Sequence, residues 1–434
     1  MNVAVAKTGK GRAVSDLFTS AEGRLPGSPS VIAARREAFE TYERLGLPHR
    51  RIEEWKYTDL RALVGEVLPL AAAPDAAALK RAADAVKANA IEGARKLVLV
   101  DGVFAADLSD VKALASEVSV TTLRETLAKD AGLLTTASTD AVISLNAAMA
   151  TDGVVLSIAD GTQLSAPIQI IHIATAPSAS AFTRSQLVIG KGTRATIIET
   201  FVAAGAKAYQ VNDAVIVSVG DNADVAHIRL MDDAPDAVNI TSQFVTVGAN
   251  TKLNIFNMTT GAGVSRLQGF ITLAGEGSEL SVNGVNLLQK TEHGDTTLVV
   301  DHAVPNCVSR EVFRAVIDDR AHSVFQGRII VRPDAQKTDG KMMIRALLLS
   351  DEAEADNKPE LEIFADDVSC GHGATAGALD ENLLFYLKAR GLPEKQAQAL
   401  LIQAFVGEAI EQISDDGLRE HVIGIAERWL ERRQ

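Results

Sequence analysis

The chain has 434 residues, of which 47% are hydrophobic and 23% charged, a composition typical of a globular protein with two or three domains. Its formal net charge of −13 disfavours phosphate backbones, so we expect no nucleic-acid partner. It has no apolar run near the ~20 residues that span a bilayer, and its first residues lack a signal-peptide core. We therefore expect a cytoplasmic protein without membrane contact, in which Cys307 and Cys370 are thiols.

The first 95 residues are predicted to form an N-terminal helical domain. A helix over residues 31–45 follows Pro29, which suits a first helical turn, and ends at Gly46, which suits a helix C-terminus. Alanine-rich sequence predicts another helix over residues 71–94.

Residues 96–365 change from helical periodicity to the period-2 alternation of strands, with a short helical stretch near residues 123–130. Strands followed by a small turn residue recur at intervals that fall from 31 to 27 residues. The turn residues are Ala159, Gly190, Gly220, Gly248 and Gly275, and a fainter copy ends at Ile317-Asp318.

A near-constant repeat that contains strands but no helices indicates a solenoid, because each unit must stack on its neighbours to bury its apolar face. The repeat length fits one turn of a flattened β-helix with two strand layers. The alternative is an antiparallel sandwich, whose turns would come about every 8–12 residues.

Residues 366–434 are predicted to form a C-terminal helical domain that follows a Cys-x-His segment. Helices are predicted over residues 381–390, from Pro393 onwards, and near the C-terminus. The apolar face of the middle helix is predicted as Ala397, Leu400, Leu401, Ala404, Phe405 and Ala409, and that of the last helix as Leu418, Val422, Ile425 and Trp429.

Cys370 and His372 are the candidate metal ligands. In an extended segment, residues two apart point to the same face, and a thiolate with an imidazole suits soft metal ions. The other interpretation is structural, a packed cysteine and a hydrogen-bonded histidine. An all-cysteine iron–sulfur site needs four thiolates and this chain has two cysteines, so any cluster would take further ligands from a partner.

A second group of potential ligands has no recognisable spacing. Cys307 and His302 are close in sequence, and His293 and His322 lie on neighbouring strand segments. Structural roles are favoured for all four.

Other residues give no sign of catalysis. The pairs Asp232-Asp233, Asp318-Asp319 and Asp366-Asp367 are predicted to be solvated turn residues, since neighbours on a strand face opposite ways. The sequence has no phosphate-binding loop motif, so we expect no nucleotide on this chain, and it has neither a nucleophile-elbow nor a zinc-protease motif.

Several strings together resemble a known family. They are Glu54-Trp55-Lys56-Tyr57-Thr58, Gln336-Lys337-Thr338-Asp339-Gly340, Leu347-Leu348-Leu349, Lys358-Pro359-Glu360-Leu361-Glu362-Ile363, Asp366-Asp367-Val368-Ser369-Cys370-Gly371-His372-Gly373-Ala374-Thr375-Ala376-Gly377 and Phe385-Tyr386-Leu387-Lys388-Ala389-Arg390-Gly391. They resemble the SufB/SufD family, the scaffold subunits of the bacterial SUF iron–sulfur cluster assembly system. Cys370 and His372-Gly373, where SufB proteins carry a His-Glu-Ala-Thr string, favour the SufD branch; Gly371 stands where many relatives have Ser.

The resemblance implies a mainly β fold, a right-handed parallel β-helix with helical domains at both ends. It implies pairing with SufB through the β-helices, and binding of the ATPase SufC through the C-terminal helical region. Our candidate for the ATPase contact is the helical face around residues 385–391 together with the helix from Pro393; the alternative is ordinary packing of that face onto the β-helix. His372 matches the family histidine at the interface where a transient iron–sulfur cluster is shared with SufB, and Cys370 matches its neighbouring cysteine.

In this interpretation the chain is a non-catalytic scaffold, ATP hydrolysis belongs to SufC, and a homodimer is possible for the isolated chain. The alternative is a polysaccharide-processing β-helix enzyme, a lyase or hydrolase with carboxylates along one face.

Overall fold

A computed structural model describes residues 9–134 and 140–433 of the chain. The helices are α1 (Gly9–Glu22), α2 (Pro29–Leu45), α3 (Leu60–Leu63), α4 (Ala76–Asn89), α5 (Val111–Leu114), α6 (Leu123–Leu127), α7 (Ala141–Met149), α8 (Glu381–Ala389), α9 (Glu394–Ile410) and α10 (Asp416–Arg432), with 3-10 turns at Glu53–Trp55, Ala106–Leu108 and Gly132–Leu134. The strands are β1 (Arg95–Val100), β2 (Val103–Phe104), β3 (Val118–Thr122), β4 (Val154–Ile158), β5 (Ile168–Ala174), β6 (Ser180–Ile189), β7 (Arg194–Ala203), β8 (Gln210–Val219), β9 (Asp224–Asp232), β10 (Val238–Val247), β11 (Lys252–Thr259), β12 (Val264–Leu273), β13 (Glu279–Leu288), β14 (His293–His302), β15 (Val308–Ile317), β16 (His322–Val331), β17 (Asp339–Leu348), β18 (Glu354–Ile363) and β19 (Ser369–Gly377).

From β4 onwards the strands alternate between two sheets. Even-numbered strands stack in one sheet and odd-numbered strands in the other, each parallel to its neighbours, which makes a β-helix of about eight turns. The prediction of a parallel β-helix is confirmed, and parallel pairing excludes the sandwich. At the N-terminal end, β1, β2 and β3 complete the two sheets.

The predicted turn residues follow the strands of one sheet. The strands β4, β6, β8, β10 and β12 end at or just before them, so these predictions are confirmed. The fainter copy at Ile317-Asp318 does not continue this series, because Ile317 ends β15 in the opposite sheet. Within successive turns Gly161, Gly192, Asn222 and Asn250 all have positive φ, a conformation that glycine and asparagine tolerate.

The N-terminal helices pack on the solenoid. Helix α2 has the predicted end at Leu45, whereas α4 is shorter than predicted because the Asp75 side chain caps it by accepting from Ala78 N. Helix α7 is buried along its whole length between α2 and the strands β6 and β8, inside the range predicted as β structure. Strand structure begins at Arg95 and continues to Gly377, past the predicted domain boundary at residue 365.

The C-terminal helices have the predicted positions, but the predicted face of α9 is partly wrong. Its buried residues are Ala397, Ile402, Val406, Ala409 and Ile410, whereas Leu400 is 46% exposed. Helix α9 is apolar on more than one side, and its contact with β13 and β15 selects which side is covered. The predicted face of α10 is buried as expected.

No helix within residues 9–134 and 140–433 combines the length and the apolar character that a bilayer crossing requires.

Candidate functional site

The last turn of the β-helix is an open end. Strands β18 and β19 are the terminal strands of their sheets, and each is hydrogen-bonded to a neighbour on one side. No residue of either strand is buried. Two long strand edges therefore remain available for pairing, a feature that proteins usually cover or interrupt.

Cys370 and His372 lie on β19 and face the interior of the solenoid. They are in register with Gly340 and Met342 of β17, which are buried, whereas the alternating Lys341 is exposed. Because side chains alternate along a strand, Cys370 and His372 point to the same face, as the sequence predicted.

The two side chains have different surroundings. Cys370 is half-buried against the apolar core, and burial raises the pKa of its thiol, with the nearby Asp339 and Glu311 carboxyl groups acting in the same direction. His372 is exposed at the open end. Cys370 is thus a protonated thiol until a metal ion or a base displaces its proton, while His372 is accessible to a partner.

The pair does not form a complete metal site with any other residue that the structure describes. Within residues 9–134 and 140–433, three or more His, Cys, Asp or Glu donors converge in one group, which lies elsewhere in the β-helix. A cluster held by Cys370 and His372 would need further ligands from another subunit.

Cys307 and His302 are buried in the core, as their structural interpretation requires. The Cys307 thiol lies 3.4 Å from the Gly275 carbonyl oxygen, and His302 Nε2 lies 3.0 Å from Ser309 Oγ. Burial raises the pKa of Cys307 and lowers that of His302 to about 4. Both groups are neutral and hydrogen-bonded at neutral pH.

His293 and His322 are adjacent in the stack, with ring centroids 4.9 Å apart. His293 Nε2 is 2.9 Å from Thr58 Oγ1, and His322 Nε2 is 2.8 Å from Asp356 Oδ2. These contacts place His293 where the N-terminal segment meets the β-helix.

One of the acidic pairs differs from the prediction. Asp233 is buried, accepts hydrogen bonds from the Tyr209 hydroxyl and from Asn239, and has its pKa raised by burial. Its neighbour Asp232 is exposed. The strand alternation that separates the two side chains holds, but it directs one of them into the protein.

Sequence reasoning missed Glu311, which is buried on β15 in register with Met342 and His372. Burial raises its pKa to about 8. The signal was present in the alternation of Ser309, Glu311 and Phe313, which directs all three inwards on one strand.

A second surface lies on α8, close to the open end. None of its residues is buried, and Leu383, Phe385 and Tyr386 are 51%, 73% and 54% exposed. A groove between α8, α9 and the last strands continues this apolar surface past Leu401 and Phe405. Helix α8 packs against α9, so its other apolar side chains face solvent.

Comparison with known proteins places the chain in a family. Residues 12–170 match the SufBD protein N-terminal region, and residues 172–405 match the family described as SUF system FeS cluster assembly, SufBD core domain. The chain is 31% identical over 385 residues to the iron–sulfur cluster assembly protein SufD of Escherichia coli, which covers 88% of each chain.

Two further relatives agree. An iron–sulfur cluster assembly SufBD family protein of Synechocystis is 30% identical over 402 residues, covering 88% of this chain and 87% of its own, and SufD of Bacillus subtilis is 26% identical over 304 residues, covering 66% of each. These matches confirm the resemblance to SufD and give no support to a polysaccharide-processing enzyme. The chain belongs to the SufBD family of iron–sulfur cluster assembly proteins.

Proposed function

We propose that this chain is a non-catalytic scaffold subunit that pairs with a SufB-type subunit through the open end of its β-helix. In this role it contributes His372, with Cys370 beside it, to a site where an iron–sulfur cluster is assembled and then passed on. The cluster is cargo, shared transiently with the partner.

The open end of the β-helix is the observation that carries this proposal. Two unpaired strand edges lie beside an exposed histidine and a half-buried cysteine, all on one end of the molecule. A partner that extends the sheets would cover the edges and bring its own ligands to this pair. Mixed histidine and cysteine ligation of iron–sulfur clusters has precedent.

The C-terminal helices are proposed to bind a SufC-type ATPase. The interpretation of α8 as a helix packed onto the β-helix is not favoured, because its apolar residues Leu383, Phe385 and Tyr386 face solvent. Aromatic residues of this kind often dominate the energy of protein interfaces. ATP hydrolysis would then occur on the partner, and the resulting movement of the C-terminal helices would be transmitted to the open end through the adjoining strands.

An isolated chain could pair its open end with a second copy, so a homodimer is compatible with the proposal. The cytoplasm is the expected compartment, since a reducing environment keeps Cys370 as a thiol.

The test is cluster content in the complex that is purified anaerobically after co-expression with SufB and SufC. We expect His372→Ala to lower iron and acid-labile sulfide while all three subunits still co-purify. Ser369→Ala is the matched control, because it changes an exposed residue on the same strand. Unchanged cluster content in His372→Ala would reject the ligand role, and failure of the wild-type chain to co-purify with either partner would reject the scaffold role.

A further inference from the structure

A group of potential ligands lies inside the β-helix, several turns from the open end. His172 on β5, Glu199 on β7 and Asp213 on β8 are 6%, 0% and 0% exposed, respectively. One donor atom from each lies within 4.8 Å of the other two. Three strands from both sheets thus bring their side chains to one point in the interior.

Each of the three side chains has an atom without a hydrogen-bond partner. Asp213 Oδ1 accepts from the Thr183 hydroxyl at 2.5 Å, and Glu199 Oε2 lies 2.9 Å from His227 Nε2. By contrast, Asp213 Oδ2, Glu199 Oε1 and His172 Nε2 are buried and unpartnered. Buried polar atoms are nearly always satisfied, so three such atoms in one cluster indicate a missing ligand.

The charge of the surroundings favours a cation. Glu199, Asp213 and Asp233 bring three carboxyl groups to this region of the interior, where they face the Arg229 guanidinium and where His227 pairs with Glu199. Arg184 also acts on Asp213, but its guanidinium is bound to Leu133 O and Asn146 Oδ1. Burying unpaired carboxylates is costly unless a cation or a proton neutralises them.

The imidazole of His172 is buried and held in a fixed position. The ring stacks on Phe201 with centroids 4.2 Å apart, which fixes its orientation.

A small cavity adjoins the cluster. It has a volume of about 20 Å³ and is lined by His172, Thr183, Phe201 and Asp233 among others. A polar cavity of roughly 10–15 Å³ or more can hold one water molecule. The rest of its lining is mainly apolar and includes neither Glu199 nor Asp213, so the cavity offers space for a water molecule on the His172 side of the cluster.

We propose that His172, Glu199 and Asp213 bind a divalent first-row transition-metal ion, with water as a further ligand. One imidazole and two carboxylates suit zinc, iron(II) or manganese(II), and the absence of a thiolate from this donor set disfavours copper(I) and an iron–sulfur cluster. The ion joins strands of both sheets in the first half of the β-helix. It is separate from the assembly site at Cys370 and His372.

Because the site is buried, the ion is expected to enter during folding. The full chain would be expressed in medium supplemented with Co²⁺, purified without chelator, and measured by elemental analysis and by visible d–d absorption. We expect about one equivalent of Co²⁺ per chain, and a spectrum of low-coordinate cobalt with nitrogen and oxygen ligands. The Asp213→Asn and His172→Gln variants should each lower the bound metal roughly tenfold or more.

Two controls isolate the site. His302→Gln changes another buried histidine that belongs to no three-donor group among the described residues, and should keep the ion. A double variant of Cys370→Ser with His372→Ala should keep it too, so loss of the assembly site cannot be confused with loss of this one. The proposal would be overturned if wild-type protein carried no stoichiometric ion after expression with Co²⁺ and, separately, with Zn²⁺. This outcome is decisive even if the variants fail to fold. A folded Asp213→Asn variant that binds as much metal as the wild type would also overturn the proposal.

Discussion

Trp55 packs the N-terminal segment, residues 47–64, against the outer face of one sheet. It is 1% exposed, its indole N–H donates to Asp140 Oδ2 at 2.7 Å, and the Arg266 guanidinium lies 3.8 Å from its ring centroid. The ring packs in one apolar cluster with Ile240 and Val264, which belong to β10 and β12. We predict that Trp55→Ala releases this segment from the β-helix while the solenoid stays folded.

The expected loss of free energy for docking this segment follows from the contacts that Trp55→Ala removes. Truncating a fully buried tryptophan costs about 3–5 kcal/mol. Asp140 still accepts from Val142 N and Ile143 N, and Arg266 still bonds to Asp295, so no buried charge loses all its partners. A loss of about 4 kcal/mol increases the population of the released state roughly a thousandfold. Trp55→Phe keeps most of the apolar contact and should cost about 1–2 kcal/mol, chiefly through the lost hydrogen bond.

Native-state hydrogen exchange with mass spectrometry measures this directly, because local opening is seen peptide by peptide. Exchange should accelerate in residues 47–64 and remain slow in the central strands. Trp429→Ala is the matched control, since Trp429 is equally buried in α10 and should loosen the C-terminal helices instead. Unchanged exchange of residues 47–64 in Trp55→Ala, or equal acceleration along the whole chain, would refute the idea of a locally fastened segment.

Three further predictions concern other parts of the molecule. Phe385→Ser should lower co-purification of the SufC-type ATPase roughly tenfold or more without changing the melting temperature. The control Ile423→Ser, at an exposed apolar site on α10, should leave co-purification of the ATPase unchanged. Equal binding of the ATPase by both variants would contradict the proposed contact surface on α8. Ile363→Asp at the open end should abolish pairing with SufB, as measured by sizing chromatography of the mixed subunits. Glu362→Gln, on the opposite face of the same strand, should pair with SufB like the wild type in the same assay. Burial lowers the pKa of His302 from 6.5 to about 4, so the unfolded chain binds more protons in this window and stability is lost as pH falls from about 6.5 towards 4. In urea titrations, His302→Gln should reduce the dependence of the unfolding free energy on pH by up to about 1.4 kcal/mol per pH unit. The same pH dependence in wild type and variant would contradict a lowered pKa of His302.

The β-helix was predictable because each repeat is specified by residues that are close together in the sequence. Each turn needs a small residue after the strand and a residue tolerant of positive φ shortly after it, as Gly161 and Asn222 illustrate. Stacking then fixes the register, since turns of similar conformation align the strands that follow them. The position of Cys370 and His372 on one face followed from the same alternation.

Features that depend on contacts between distant turns were not predictable. Nothing near Leu400 in the sequence shows which side of α9 the β-helix covers. The meeting of His172, Glu199 and Asp213 depends on the pairing of β5 with β7 and on the two sheets facing each other, which one repeat cannot reveal. Asp233 was misassigned for a related reason, because its burial depends on Tyr209 from the preceding turn.

The two edges of the open end are not equivalent, and the difference bears on where a partner adds its strand. Strand β18 contains Pro359, which lacks a backbone N–H and is confined to edges and bulges in sheets. Strand β19 has no proline and carries Cys370 and His372 on its inner face. A strand added beside β19 would lie about 4.8 Å away, so its inward side chains would be adjacent to His372. Under the proposed function, pairing at the more complete edge would therefore also bring the partner's ligands to the proposed cluster site, and assembly of the complex would be linked to assembly of the cluster.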